Sequence, residues 1–222
     1  GLARRYRVIV FDNRGSGQTG APDGPWTIRM MAGDTAGLLD ALEIDRAHVL
    51  GVSMGGYIAQ ELALAHPGRV AGLVLATTSV GPYLLKTSIL EEWLRGALRA
   101  LAPETIFQIM LPFMFNDRCF EQPGVLELAV ATIAPHTDTP PHILARQMIA
   151  CVDHDARERI GLITAPTLVL AGREDPFVPF SLSEELAARI PGARLQVLEG
   201  GGHGFTPATA DELNRAVLEF LG

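Results

Sequence analysis

The stretch HVLGVSMGGYIAQELALA, residues 48–65, places a serine between a short apolar run and a helical segment. Residues 48–52 fit a strand and residues 55–65 fit a helix, with Ser53 at the turn in the pattern Gly51-x-Ser53-x-Gly55. A nucleophilic serine needs such a turn, because the turn exposes its hydroxyl and small residues on either side let strand and helix pass closely. An ordinary tight turn would also use these glycines, so the motif needs partners elsewhere in the chain.

The partners that a serine nucleophile requires follow two later strand patterns. A weakly nucleophilic serine needs a general base, and the base needs an acid that orients it. Asp175 follows the apolar strand at residues 167–172, and His203 follows the strand at residues 194–198. The order Ser53, Asp175, His203 is one in which the acid precedes the histidine. We therefore predict a catalytic triad from these residues, with the backbone N–H of Met54 as an oxyanion donor at a helix N-terminus.

Other polar residues compete for these roles. Glu174 is next to Asp175 but faces the opposite way if the strand alternation continues. His154 lies between two aspartates in a helical block, where a histidine is more often an ordinary surface or cap residue. His203 itself could be no more than a histidine in a flexible glycine loop. No group of His, Cys and carboxylate residues has the spacing of metal ligands, so we predict neither a metal nor a cofactor.

Strand and helix patterns alternate along most of the chain. Strands are predicted at residues 7–12, 48–52, 70–78, 167–172 and 194–198. Helices are predicted from the N-cap Thr27, over residues 55–65, and after capping boxes at Ser181 and Thr209. This alternation predicts an α/β fold, a mainly parallel sheet flanked by helices. Helical stretches and prolines dominate residues 81–163, so we predict a core of residues 1–80 and 164–222 with an inserted helical cap of residues 81–163.

A glycine-rich loop follows the first predicted strand. Gly15, Gly17 and Gly20 have the spacing of a dinucleotide-binding loop. That interpretation is disfavoured, because polar residues separate the strand from the glycines and two prolines, Pro22 and Pro25, would interrupt the helix that such a site requires. We predict a loop and not a helix start.

Composition and charge indicate a globular protein and disfavour several kinds of partner. Hydrophobic residues make up 48% of the 222 residues, which is enough to build a packed core. The net charge is −7 and no basic run occurs, so nucleic acid is not an expected partner. The two cysteines fit no metal or redox motif, and free thiols are expected. Without a membrane-length apolar run or a signal-peptide pattern, we expect a cytoplasmic protein that does not bind membranes.

Together these motifs resemble the α/β-hydrolase superfamily. The similarity is to the branch of small serine esterases, lactonases such as 3-oxoadipate enol-lactonase, and cofactor-free haloperoxidase-type esterases. It covers nearly the whole chain and rests on residues 12–17, 51–56, 166–175 and 202–203. The resemblance implies a small ester or lactone substrate cleaved through an acyl-enzyme on Ser53, without a cofactor. It also implies that the glycine loop shapes the floor near the nucleophile.

Two other functions stay open on the same motifs: a ligand-binding or signalling protein with little turnover, and a carbon–carbon bond hydrolase. A serine at position 53 argues against dehalogenase or epoxide hydrolase chemistry, for which relatives use aspartate. The apolar residues 109–115 form either the core of the cap or a wall of the substrate site. Four arginines of the cap block either receive a substrate carboxylate or face solvent: Arg95, Arg99, Arg118 and Arg146. A homo-oligomer also stays open.

The sequence starts at Gly1, almost directly in the first predicted strand. Members of the resembled family carry strands and a His-Gly loop upstream of this point, and that loop supplies a second oxyanion N–H. The resemblance therefore implies that an N-terminal part of the sheet is missing here, including a strand between residues 7–12 and 48–52. Without the second donor, we expect a loss of roughly 10²–10³ in turnover.

Overall fold

The computed structural model describes residues 1–81, 139–204 and 207–222, together with isolated positions between residues 96 and 127. Its centre is a sheet of four parallel strands, β1 (Ala47–Val52), β2 (Val70–Ala76), β3 (Thr167–Gly172) and β4 (Arg194–Leu198), in the order β1-β2-β3-β4. Because all four strands run the same way, their carboxyl ends meet at one edge of the sheet.

Five α-helices surround the sheet in the described part of the chain: α1 (Ile28–Ala41), α2 (Met54–Ala65), α3 (Pro141–Asp153), α4 (Phe180–Arg189) and α5 (Pro207–Leu221). The central strand β2 shows how both faces are covered, since successive side chains of a strand point to opposite faces. Leu73 and Leu75 pack into the core formed with α1, α2 and α4, whereas Val74 and Ala76 pack against α5. This arrangement confirms the predicted α/β fold with a mainly parallel sheet flanked by helices.

The predicted strand at residues 7–12 is wrong. This segment forms no strand and pairs with none of the described strands, and β1 is the edge of the described sheet. Its apolar side chains are exposed, with Val10 at 89% and Val8 at 45% of their full accessible surface. An apolar run predicts a strand only when a neighbour satisfies its backbone N–H and C=O groups, and none of the described strands lies beside this one.

The glycine-rich segment is a loop, as predicted. It folds back on Asp12, whose carboxylate accepts a hydrogen bond from the Gln18 N–H at 3.1 Å. Gly17 has φ +49°, and a Cβ there would lie 2.1 Å from an oxygen of Asp12, so the position requires glycine. The next helix, α1, begins only at Ile28. The loop therefore lacks the helix N-terminus on which a dinucleotide site depends.

Most of the predicted cap, residues 81–163, lies outside the described residues, as do residues 109–115 and the arginines 95, 99 and 118. The cap and the domain limits stay predictions. The fourth arginine, Arg146 on α3, donates to the carbonyl of Pro22 at 3.2 Å and lies 3.7 Å from the Asp23 carboxylate. The Arg146 guanidinium thus contacts the loop that follows the glycines. Among the described residues, no helix is long and apolar enough to cross a membrane.

Candidate active site

Ser53 occupies the turn between β1 and α2. Its backbone has φ 52° and ψ −117°, a left-handed conformation that non-glycine residues rarely adopt. A Cβ at Gly51 would lie 2.2 Å from the carbonyl oxygen of Gly55, and a Cβ at Gly56 would lie 2.5 Å from the Thr78 side chain. The structure places nothing within 4 Å of a Cβ at Gly55. Glycine is therefore required at positions 51 and 56, whereas the sequence motif pointed to positions 51 and 55.

The structure brings Ser53, His203 and Asp175 together, although 150 residues separate the serine from the histidine. Ser53 Oγ lies 2.9 Å from His203 Nε2, and His203 Nδ1 lies 3.0 Å from Asp175 Oδ2. Asp175 follows β3 and His203 follows β4, so the carboxyl edge of the sheet gathers all three. His203 and Asp175 are buried, at 3% and 6% exposure.

The second oxygen of Asp175 is also bound. Asp175 Oδ1 accepts hydrogen bonds from the backbone N–H groups of Phe177 and Val178, each at 2.8 Å. The ring of Phe177 lies against the imidazole of His203, with centroids 4.9 Å apart. The carboxylate and the imidazole are thus each held from a second direction.

These contacts fix the tautomer of His203. A carboxylate only accepts hydrogen bonds, so Asp175 Oδ2 pairs with a protonated Nδ1. The neutral imidazole then has an unprotonated Nε2, which accepts the hydroxyl hydrogen of Ser53. This arrangement gives His203 the capacity to take the serine proton.

Met54 is the first residue of α2. The first N–H groups of a helix have no partner within it, and they lie at the positive end of the helix dipole. The N–H of Met54 follows Ser53 directly, as the sequence predicts; its role as oxyanion donor stays a prediction. Glu174, the rival of Asp175, is exposed, and its N–H donates to the Gly201 carbonyl.

A second buried polar cluster lies on α2, and it includes His154, which is buried and not the surface residue that the sequence favoured. Glu61 accepts two hydrogen bonds from the Arg159 guanidinium and lies 3.5 Å from His154 Nδ1. Burial opposes the charge on Glu61, yet the hydrogen bond and charge of Arg159 hold the pKa of that carboxyl below its ordinary value. Burial lowers the pKa of His154 to about 4. The one local signal was the polar pair Gln60-Glu61 within the mostly apolar helix YIAQELALA.

Tyr57 joins this cluster to the end of β2. Its ring lies 4.6 Å from that of His154, and its hydroxyl is 2.9 Å from Ser79 Oγ. Burial raises the pKa of Tyr57 to about 12, so its hydroxyl stays neutral. No three His, Cys, Asp or Glu side chains in the described segments are arranged to hold a metal ion.

The chain is similar to several known hydrolases. The family model for the alpha/beta hydrolase fold matches residues 1–205. A protein named carbamate hydrolase RutD, from Azorhizobium caulinodans, is 36% identical over 225 residues, covering 100% of this chain and 83% of that protein. A 2-hydroxy-6-oxononadienedioate/2-hydroxy-6-oxononatrienedioate hydrolase from Cupriavidus pinatubonensis is 32% identical, covering 100% of this chain and 78% of that protein. The crystal structure of an enol-lactonase from Burkholderia xenovorans superimposes with a TM-score of 0.87 at 28% identity, covering 99% of this chain and 82% of that one.

Proposed function

The chain belongs to the α/β-hydrolase fold family, and from this premise we propose that it is a serine hydrolase that cleaves a small carboxylic ester or lactone. One observation carries the proposal: a continuous hydrogen-bonded line from Ser53 Oγ through His203 to Asp175, with distances of 2.9 Å and 3.0 Å. These are the contacts that convert an inert hydroxyl into a nucleophile.

In the first half of the reaction, Ser53 Oγ attacks the carbonyl carbon of the substrate. His203 Nε2 takes the hydroxyl proton as the new C–O bond forms, and Asp175 stabilises the resulting imidazolium through Nδ1–H. The backbone N–H of Met54 donates to the oxyanion of the tetrahedral intermediate. The intermediate then collapses, the bond to the leaving oxygen breaks, and Nε2 returns its proton to the leaving alcohol. An acyl group stays on Ser53.

In the second half, water replaces the alcohol. His203 Nε2 takes a proton from the water while the water oxygen attacks the acyl carbon. Collapse of this second intermediate breaks the bond to Ser53 Oγ, which recovers its proton from Nε2. The free acid leaves, and the triad is restored. For a lactone, the alcohol and the acid are two ends of one product.

The relatives widen the range of bonds to be tested. One relative is named a carbamate hydrolase and one structural neighbour an enol-lactonase. Esters, lactones and carbamates all present a carbonyl carbon bonded to a heteroatom leaving group, so the steps above apply to each. They differ in the leaving group and in the acyl group left on Ser53.

A second candidate is carbon–carbon bond hydrolysis. The observation that favours it is the 32% identity to a 2-hydroxy-6-oxononadienedioate/2-hydroxy-6-oxononatrienedioate hydrolase over the full length of this chain. Here the leaving group is a carbon, which must depart as a stabilised enol or enolate. A diketone supplies that stabilisation, so a diketone consumed faster than any ester would favour this candidate.

Labelling with a fluorophosphonate tests the nucleophile without knowledge of the substrate. In this reaction a bond forms from serine Oγ to phosphorus, fluoride leaves, and the serine proton passes to the base. We expect one adduct by intact mass, mapped to Ser53, and none after heat denaturation or in Ser53→Ala. A folded chain that takes no adduct, or Ser53→Ala labelled like the parent, would contradict the proposal.

A substrate panel then identifies the bond. We expect repeated turnover of short-chain esters or lactones by the parent chain and none by Ser53→Ala. Carbamates and a diketone complete the panel. Labelling at Ser53 without turnover of any member would instead favour a ligand-binding protein.

A further inference from the structure

Two strained residues meet at the carboxyl ends of β1 and β2. Ser53 has φ 52° and Thr77 has φ 43°, and they are two of the three non-glycine residues with positive φ in the described segments. For the β-branched Thr77 this conformation is an outlier. Such backbone strain persists only when the surrounding contacts fix it.

The segment after β2 holds the backbone of Ser53 on both sides. The Ser53 N–H donates to the Ala76 carbonyl at 3.0 Å, and Thr78 Oγ1 donates to the Ser53 carbonyl at 3.0 Å. The turn at Thr77 lies between these two contacts. This turn lets the Ala76 carbonyl bind the N–H of Ser53 while the Thr78 hydroxyl binds its carbonyl.

The Thr78 side chain is buried and closely packed. Thr78 is 1% exposed, and its side chain lies so close to α2 that a Cβ at Gly56 would be 2.5–2.6 Å from three of its atoms. The Ser53 carbonyl also accepts from the N–H groups of Gly56 at 2.8 Å and Tyr57 at 3.4 Å, but those bonds belong to the first turn of α2. Thr78 supplies the side-chain bond that ties the Ser53 carbonyl to the segment after β2.

We infer that Thr78 is a positioning residue for the nucleophile. Its hydroxyl fixes the Ser53 peptide, and this keeps Ser53 Oγ at hydrogen-bond distance from His203 Nε2. The inference rests on the proposed function, because it concerns the reactivity of Ser53. Thr78 acts through Ser53 and has no assigned contact with substrate.

Rates of fluorophosphonate labelling of Ser53 test this role. Thr78→Val replaces the hydroxyl by a methyl, Thr78→Ala removes hydroxyl and methyl, and Thr78→Ser keeps the hydroxyl. We expect the valine and alanine variants to label about tenfold more slowly, the effect of one lost hydrogen bond on the transition state. We expect Thr78→Ser to label within about threefold of the parent rate. If Thr78→Val does not fold, the labelling rates of Thr78→Ala and Thr78→Ser still test the role of the hydroxyl.

Two readouts separate positioning from loss of folded protein. Unfolding lowers the number of adducts per chain, whereas misplacement lowers the rate constant at one adduct per chain. The plateau of the pH–rate profile should fall in Thr78→Ala with its midpoint unchanged. Ser79→Ala is the matched control, because the Ser79 hydroxyl contacts Tyr57 and the Gly81 carbonyl. We expect it to label within about twofold of the parent.

The outcomes are distinct. Thr78→Ala labelled as fast as Thr78→Ser, or Thr78→Ser as slow as Thr78→Ala, overturns this inference and leaves the proposed function standing. A parent chain that does not label overturns the proposed function, and the positioning role with it.

Discussion

His154 is the clearest case of a single residue whose charge state depends on the fold. Its side chain is buried between the ring of Tyr57 and the carboxylate of Glu61. Burial lowers its pKa to about 4 from the ordinary 6.5, although Glu61 attracts a proton to it. The imidazole is therefore neutral at neutral pH, and its Nε2 has no hydrogen-bond partner among the described residues.

This burial predicts acid sensitivity. Between pH 6.5 and pH 4 the unfolded chain binds a proton at His154 that the folded chain does not, so stability falls as pH falls through this window. From pH 7 to pH 5 we expect this residue to lower the free energy of unfolding by about 2 kcal/mol. Urea unfolding at the two pH values measures the loss.

The matched comparison is between His154→Gln and His142→Gln, since His142 is exposed. The glutamine at position 154 should remove about 2 kcal/mol of the pH dependence, and the one at position 142 should leave it unchanged. Equal pH dependence in the parent and His154→Gln would show that this histidine does not titrate differently on folding.

At the scale of elements, the strand–turn–helix of β1 and α2 depends on close backbone approach. A Cβ at Gly51 would meet the Gly55 carbonyl oxygen and carbon at 2.2 Å and 2.5 Å. These are backbone atoms of the first turn of α2, so neither a rotamer change nor a small side-chain shift relieves the clash. Gly55 lies in the same motif, yet its Cβ would enter open space.

The two glycines therefore give opposite predictions. Gly51→Ala should push α2 away from β1 and slow labelling of Ser53 by about 10²-fold, because a shift of about 1 Å at a reacting atom has that effect. Gly55→Ala should label at close to the parent rate and melt no lower, since alanine favours a helix by up to about 1 kcal/mol over glycine. Labelling rates and thermal melts of the pair decide this, and equal rates in both would contradict it.

Helix starts show where local patterns sufficed and where they did not. Thr27 caps α1 as predicted, with its hydroxyl accepting from the Met30 N–H at 3.1 Å. The capping boxes at Ser181 and Thr209 are wrong. Helix α4 begins one residue before Ser181, after Pro179, and α5 begins at Pro207, so both hydroxyl residues lie inside their helices. Proline has a fixed φ and no N–H, which suits a helix start and competes with a later cap.

At the scale of the whole molecule, α2 contacts the chain both just after β2 and just after α3. Where the chain leaves β2, Gln60 Nε2 donates to the Ser79 carbonyl at 2.8 Å. Where the chain returns after α3, Arg159 pairs with Glu61. One helix thus follows Ser53 directly and, further along, contacts Ser79 and Arg159.

The pair of Glu61 and Arg159 is asymmetric, because the Glu61 side chain is 4% exposed and the Arg159 side chain is 43% exposed. Arg159→Met leaves a buried carboxylate without its cation, and we expect it to cost about 3 kcal/mol in the free energy of unfolding. Glu61→Gln leaves a guanidinium that reaches water, and we expect about 1 kcal/mol. Urea unfolding of both variants measures the difference.

Glu199→Gln is the control for this pair, since Glu199 contacts Arg173 with both side chains exposed. Such a surface pair should contribute less than about 1 kcal/mol. A Glu61→Gln variant that is less stable than Arg159→Met would contradict this asymmetry. It would mean that the unpaired arginine destabilises the folded chain more than the unpaired glutamate does.

Features that depend on short-range patterns could be predicted from the amino-acid sequence. Strand β3 has the predicted bounds, β1 and α2 differ from prediction by one residue each, and the order of Ser53, Asp175 and His203 along the chain pointed to one edge of a parallel sheet. These features follow from apolar periodicity and turn chemistry within a few residues, together with the rule that parallel strands end on the same side.

Contacts between segments that are distant in the sequence could not be predicted, because they form only when the chain packs. Apolar periodicity at residues 7–12 could not show whether a neighbouring strand satisfies the backbone there. The requirement for glycine at position 56 comes from contact with Thr78. The charge state of His154 comes from burial beside Glu61, which lies on α2, 93 residues earlier in the sequence. The physical reason is that hydrogen-bond partners, close approach and desolvation are properties of the packed neighbours, which the local sequence does not specify.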